Sequence, residues 1–111
     1  MNVRTQRLGA AHYLSPDFPI VDENLATLQM AVDEAQAQGA TDLVIDLEAV
    51  TVLDSRGLEL LVDLATTLRE RGGSLRLAAA SPLCRQIFAV SRVDQTLAVY
   101  DDLESVGRSF L

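Results

Sequence analysis

The sequence is poor in several residue types, and each shortage excludes a class of protein. Its single cysteine, Cys84, cannot form an internal disulfide, so a reducing compartment such as the cytoplasm is expected. Two tyrosines, three phenylalanines and no tryptophan leave few rings for stacking bases or sugars. No signal peptide is recognisable, and no apolar run is long enough to cross a bilayer. These absences favour a cytoplasmic protein without membrane insertion.

Basic residues are also scarce. Nine arginines and no lysine stand against sixteen acidic residues, which gives a net charge of −7 and an isoelectric point near 4.4. An acidic surface repels phosphate backbones and anionic lipids, so nucleic acids and membranes are poor partners. Apolar residues make up 49% of the 111 positions, enough to bury the core of one domain spanning residues 1–111. The composition favours a module that binds a protein.

Two helices and the strand between them show the clearest periodicity. The first helix is predicted from about Asp22 to Gln38, and Gly39 ends it. The segment 42–47 is predicted to be a buried strand, and a second helix opens after Asp54. The predicted apolar faces are Leu25, Leu28, Val32 and Ala35 on the first helix, and Leu58, Leu61, Ala65 and Leu68 on the second.

The rest of the chain continues the alternation of strands and helices. Strands are predicted over 3–8, 10–14, 74–79 and 96–100. A third helix begins with Ser81 as its N-cap, and Asp101 or Asp102 caps a closing helix. The third helix is expected to bury a stripe formed by Leu83, Ile87 and Val90. A strand–helix–strand order implies parallel crossovers, and hence an α/β fold.

The most distinctive segment runs from Thr51 to Leu61. After a predicted buried strand it has an apolar residue, an aspartate and a serine, then a glycine and a leucine that open a helix: Leu53, Asp54, Ser55, Arg56, Gly57 and Leu58. This string, in its strand–turn–helix setting, resembles the signature of STAS domains. That fold is shared by bacterial anti-sigma factor antagonists and the cytosolic tails of sulfate transporters.

The resemblance implies a fold and a mechanism. The fold would be a mixed sheet of four to five strands packed with about four helices. In the antagonists the first serine after the aspartate accepts a phosphate, and here that position is Ser55. A serine kinase that is itself an anti-sigma factor adds the phosphate, and a metal-dependent phosphatase removes it. The unphosphorylated form binds the anti-sigma factor and frees the sigma factor. The protein would be a monomer or weak dimer without enzymatic activity or cofactor.

The predicted partner surface consists of the serine loop, the exposed side of the second helix and the start of the first: Asp22, Asn24, Asp54, Ser55, Arg56, Gly57 and Glu59. Asp54 and Ser55 could each simply cap the helix. Gly57 could allow close approach of a partner, or serve only the loop-to-helix turn. Asp22 and Asn24 are expected to cap the first helix, and could also line the kinase interface.

Arg56 departs from the family, which usually has a small hydroxyl residue at this position. Its side chain could pair with a phosphate on Ser55, contact an acidic partner, or remain solvated. The N-terminal region also departs, because Pro19 stands near the position at which the family has a glycine before the first helix. These departures leave an alternative open. The chain could be a STAS module that is never phosphorylated and serves as a structural subunit, for example in a lipid-transport complex.

Catalysis and metal binding find little support. His12 is the only histidine and has no second histidine or cysteine near it as a co-ligand, so it is expected to be a strand or loop residue. The carboxylates of Asp42, Asp46 and Glu48 alternate along a strand, but no nucleophile or base completes a catalytic set. A binding function is therefore predicted.

Overall fold

Five strands form one sheet in the order β1-β2-β3-β4-β5. The first pair is antiparallel and the other three pairs are parallel, so the sheet is mixed, as predicted. The computed structural model describes residues 1–111. The strands are β1 (Val3–Leu8), β2 (Ala11–Pro16), β3 (Asp42–Asp46), β4 (Ser74–Ala78) and β5 (Ala98–Tyr100).

Four α-helices complete the fold: α1 (Leu25–Ala37), α2 (Ser55–Glu70), α3 (Pro82–Val90) and α4 (Leu103–Arg108). Short 3₁₀ turns at Asp22–Asn24 and Val93–Gln95 precede α1 and β5. The predicted fold class and helix number are confirmed. None of the helices is both long and apolar enough to span a membrane.

The sheet is covered on both faces. Alternate residues of a strand point to opposite sides, so Leu43 and Ile45 of β3 enter the larger core, which includes residues of α1, α2 and α3. Val44 lies on the other face, in a smaller core with Val106 of α4. The central strand is therefore apolar on both sides, which is typical of a parallel sheet between helices.

Helix α2 follows its sequence pattern closely. Leu61, Ala65 and Leu68 are buried as predicted, and Leu58 packs partly buried against the same core. The helix ends at Glu70, and Gly72 then adopts a left-handed conformation with φ of 82°. Only glycine adopts this conformation without strain, which explains why the helix stops there.

The predicted apolar stripe of α3 is correct only at Ile87, which packs partly buried against the larger core. Cys84 and Phe88 face the core, whereas Leu83 is half exposed and 78% of the surface of Val90 is accessible. The helix carries two apolar stripes that overlap, one through Leu83 and Val90 and one through Cys84 and Phe88. The second is buried, because Phe88 has the largest apolar side chain of the helix and its burial removes the most apolar surface from water. Cys84 is fully buried and packs as a small hydrophobic residue.

Three predicted element boundaries also require correction. Strand β2 continues to Pro16 instead of ending at Leu14. The first α-helix begins at Leu25, because residues 22–24 form a 3₁₀ turn. The last strand begins at Ala98 instead of Thr96, since the preceding 3₁₀ turn leads directly into the buried Leu97.

The register of α3 can be tested by truncating one residue on each side of the helix. Phe88→Ala should lower the free energy of unfolding by about 3–5 kcal/mol, because it removes a fully buried ring. Val90→Ala should change it by less than about 0.5 kcal/mol, as expected for an exposed site. Urea denaturation followed by circular dichroism measures both, and the reverse ranking would contradict the observed packing.

Candidate functional site

The carboxylate of Asp54 joins two segments that are far apart in sequence. Its Oδ1 accepts a hydrogen bond from the backbone N–H of Gly57 at 2.8 Å. Its Oδ2 accepts one from the backbone N–H of Asp22 at 3.0 Å. With extended backbone angles, Asp54 is the N-cap of α2. The capping interpretation of Asp54 is confirmed, and that of Ser55 is wrong.

These hydrogen bonds determine the acidity of Asp54. The amide of Asp22, followed by that of Gly57, stabilises the ionised carboxylate and holds its pKa below the ordinary value of 3.8. Asp102 at the start of α4 is a second such cap, and hydrogen bonds from Ser105 lower its pKa in the same way. Asp54 is therefore an anion whenever the site operates near neutral pH.

Gly57 is a glycine because the chain itself approaches it closely. A Cβ atom at this position would clash with the carbonyl oxygen of Ile20 and lie 3.0 Å from its carbonyl carbon. Ile20 is fully buried and is held in place from both sides, since its N–H donates to Val52 and its carbonyl accepts from Asp54. Neither reason considered from the sequence applies, and buried Gly57 offers no side chain to a partner.

Ser55 is the first residue of α2, and it is exposed. Its hydroxyl makes no hydrogen bond within the chain, because Asp54 already occupies the capping role. Arg56 is also exposed and forms neither of the two ion pairs of the structure. Glu59 lies on the same helix face as Ser55, one turn further along. The structure thus brings Ser55, Arg56 and Glu59 to one accessible surface.

Asp22 and Asn24 lie beside this surface, but neither side chain caps a helix. Asp22 contributes its backbone amide to Asp54. The amide group of Asn24 donates to the carbonyl of Pro19 at 2.9 Å, so it fastens the preceding loop instead of the helix. Asn24 therefore occupies the predicted N-cap position of α1 without a capping hydrogen bond from its side chain, and the capping prediction is wrong for Asp22. The hydrogen bond from the Asp22 amide to Asp54 places Asp22 next to the serine loop.

Ile20 is the important residue that the sequence did not reveal. It forms an isolated parallel bridge with Leu53, which brings the segment after β2 against the start of α2. The only sequence signal was the glycine in the first turn of a helix. With no positive φ required there, a glycine indicates close approach of another backbone.

Asp42 and Asp46, two of the carboxylates singled out in the sequence, have structural roles. Asp46 is buried and accepts hydrogen bonds from the Ser15 hydroxyl at 3.1 Å and the Glu48 amide at 3.0 Å. Asp42 accepts one from the Ser74 hydroxyl at 2.8 Å across the neighbouring strands. The structure contains no group of three or more histidine, cysteine or acidic side chains that could hold a metal ion.

The clash at Gly57 generates a first prediction for this site. Gly57→Ala should lower the free energy of unfolding by about 2 kcal/mol, because a methyl group forces the Ile20 carbonyl away. Gly107→Ala in α4 is the matched control. Its Cβ would meet only the Tyr13 hydroxyl at 3.6 Å, so stability should rise by up to about 1 kcal/mol. Equal responses of the two variants in urea denaturation would contradict the close approach.

The acidity of Asp54 generates a second prediction. The folded-state pKa lies below the unfolded value of about 3.9, so the carboxylate stabilises the fold fully above that value. This contribution is lost as the pH falls through the folded pKa. An NMR titration of the carboxyl carbon should give a midpoint below 3.8. Asp54→Asn should lose less stability on acidification than the parent chain, and a midpoint at or above 3.8 would show that the hydrogen bonds are absent.

Comparisons with known proteins agree with this fold. No curated protein matches the sequence significantly. Among solved structures, a candidate anti-sigma factor antagonist from Thermotoga maritima aligns with a TM-score of 0.90 at 18% identity, over 96% of this chain and 92% of that one. An anti-sigma factor antagonist from Mycobacterium paratuberculosis gives 0.82 at 22% identity, over 97% and 92% of the two chains.

A third solved structure is SpoIIAA of Bacillus, an anti-sigma factor antagonist, in its unphosphorylated form. It aligns with a TM-score of 0.77 at 18% identity, over 97% of this chain and 96% of that one. Identities this low establish similarity of fold. The sequence profile of the STAS domain matches residues 2–106, nearly the whole chain. The chain therefore belongs to the STAS domain family.

Proposed function

We propose that this STAS domain is a partner-switching regulator controlled by phosphorylation of Ser55. Unphosphorylated, it binds a serine kinase that is also an anti-sigma factor. Phosphorylated, it is released, and a metal-dependent phosphatase restores the binding form. The observation that carries this proposal is an exposed hydroxyl at the first position of a sixteen-residue helix, unused by any interaction of the fold.

The availability of the hydroxyl depends on its neighbour. A serine that caps a helix must direct its oxygen toward the backbone amides. Here the Asp54 carboxylate accepts the hydrogen bond from the helix amide, so the Ser55 hydroxyl is free to enter a kinase active site. Gly57 packed under Ile20 fixes the first turn of the helix. A hydroxyl on a rigid support can be presented to an enzyme without unfolding.

The charge added by phosphate acts on the interface more than on the fold. A phosphoserine carries about −1.5 to −2 charges. The helix N-terminus favours an anion by about 0.3–1 kcal/mol, while the carboxylate of Glu59 one turn away opposes it by about 0.2–0.5 kcal/mol. These effects nearly cancel. Like-charge contact across an interface costs several kcal/mol, so the domain keeps its fold and loses its partner.

Arg56 fits this mechanism in two ways, one before phosphorylation and one after it. It is the only cation adjacent to Ser55, and no carboxylate of the chain occupies it. Before phosphorylation it is available to an acidic group of the partner. After phosphorylation it can neutralise part of the phosphate, which withdraws it from the partner. Both uses strengthen the difference between the two states.

The proposal is tested with a kinase captured from native lysate on the Ser55→Ala chain and then purified. With ATP, mass spectrometry should locate phosphate on Ser55 of the parent chain. Ser55→Ala should bind the kinase as tightly as the parent. Ser55→Asp should bind at least about tenfold more weakly, which corresponds to about 1.4 kcal/mol. Isothermal titration calorimetry measures these affinities.

Thr41→Asp is the control for a nonspecific charge effect. Thr41 is exposed and lies outside the predicted partner surface, next to Gly73 and so beyond the end of α2 that is opposite to Ser55. Its substitution should leave the affinity within about twofold. If phosphate is absent from Ser55, and Ser55→Asp binds like the parent, the switch is refuted. A structural subunit that is never phosphorylated then becomes the better interpretation.

A further inference from the structure

We propose that a cavity between β1, β2 and α1 binds a small zwitterion, a molecule that carries both a carboxylate and an ammonium group. The cavity has a volume of about 130 Å³ and is lined by polar and charged side chains over an apolar floor. None of the residues assigned to the Ser55 surface lines it. The proposal does not depend on phosphorylation of Ser55.

His12 is the first indication of a ligand. It lies in β2, lines the cavity and is only 8% exposed. Its ring nitrogen Nδ1 is the one buried side-chain nitrogen or oxygen in the structure that has no hydrogen-bond partner. Buried polar groups are nearly always hydrogen-bonded, because leaving one unpaired is costly. Nδ1 has almost no accessible surface in this conformation, so a ligand in the cavity can pair with it only once the imidazole ring turns over.

The charges around the cavity indicate the chemistry of that ligand. Arg7 is directly opposite His12 in the β1–β2 pairing, so both side chains lie on one face of the sheet. Glu34 lies in the last turn of α1 and Gln38 is the C-cap residue of that helix, which forms the facing wall. The two walls thus carry opposite charges.

Arg7 and Glu34 do not pair with each other. The ion pairs of the structure join Arg85 to Asp101 and Arg108 to Glu104. An arginine and a histidine suit a carboxylate, and a glutamate with a carboxamide suits an ammonium group. A molecule with both charges satisfies both walls, whereas a simple anion or cation leaves one wall opposed by its own sign.

The volume limits the size of the ligand. A cavity of about 150 Å³ holds benzene, a molecule of six heavy atoms. The cavity here is slightly smaller, and Leu14, Ala31 and Ala35 form its apolar part. This leaves room for a methyl group beside the two charged groups. The geometry therefore fits a zwitterionic amino acid with a very short side chain.

The test is a titration of the ¹⁵N-labelled full chain with L-alanine, followed by amide and imidazole NMR signals. Saturable shifts are expected at the residues lining the cavity. Acetate carries only the carboxylate, and ethylammonium only the cation. Each should bind about tenfold more weakly than L-alanine, because each leaves one charged wall unmatched.

Matched variants assign the two walls. Arg7→Gln and Glu34→Gln should each lower the affinity for L-alanine about tenfold. Arg4→Gln and Asp33→Asn are the controls. Arg4 lies on the same strand as Arg7 but on the opposite face of the sheet, and Asp33 is adjacent to Glu34 but does not line the cavity. Both controls should bind like the parent. All four side chains are exposed, so the variants are expected to fold.

Three results would overturn the proposal. One is the lack of any saturable shift up to about 50 mM L-alanine, which would indicate a cavity filled by water only. Another is acetate binding as tightly as L-alanine, which would indicate a simple anion site. The last is unchanged affinity in both Arg7→Gln and Glu34→Gln.

Discussion

The Asp54 carboxylate is the interaction on which the arrangement of the Ser55 surface depends. One of its oxygens binds the first turn of α2, and the other binds the segment that leads into α1. A single side chain therefore sets where α2 begins and how the two helix starts lie relative to each other. Because Asp54 does the capping, Ser55 is left without a structural duty. Asp54 thus holds the backbone in place, while the adjacent Ser55 carries the free hydroxyl.

The close approach of Ile20 to Gly57 completes that support. The Ile20 carbonyl lies where a side chain at position 57 would stand, and its own side chain is fully buried in the larger core. The start of α2 is thus attached to the core through backbone contacts, which leave little freedom to the first turn. A surface of this kind is preorganised, and a preorganised surface loses less entropy on binding.

The parts of the fold that follow local periodicity could be predicted from the sequence. The buried face of α2 and the alternation in β3 are examples, since one repeating pattern fits each of them. The register of α3 could not, because Leu83, Ile87 and Val90 form as regular a stripe as the buried pair Cys84 and Phe88. Only the position of the helix on the sheet decides between two such patterns.

Within the site, the sequence identified the residues better than their roles. Asp22 and Asp54 are 32 positions apart, and no local signal records that one binds the backbone of the other. The same holds for Ile20 and Gly57, whose contact is created by the path of the chain after β2. Helix caps were predicted from residue type, yet Asn24 uses its side chain on a loop carbonyl. Contacts between distant segments decided the roles of Asp22, Asp54 and Gly57.

The sign of the proposed switch depends on the charge directly opposite Ser55 and not on the net charge of the domain. Asp22, Glu23 and Glu59 are exposed near the serine, so a partner with a basic rim suits the periphery. Taken alone, that rim would attract a phosphorylated chain more strongly. A kinase, however, places the phosphates of its nucleotide and a catalytic carboxylate against the hydroxyl it modifies. At that central position a phosphoserine meets charges of its own sign at the shortest distance, where repulsion is strongest. Release after phosphorylation therefore requires that the partner's active site itself, and not a separate docking patch, faces Ser55.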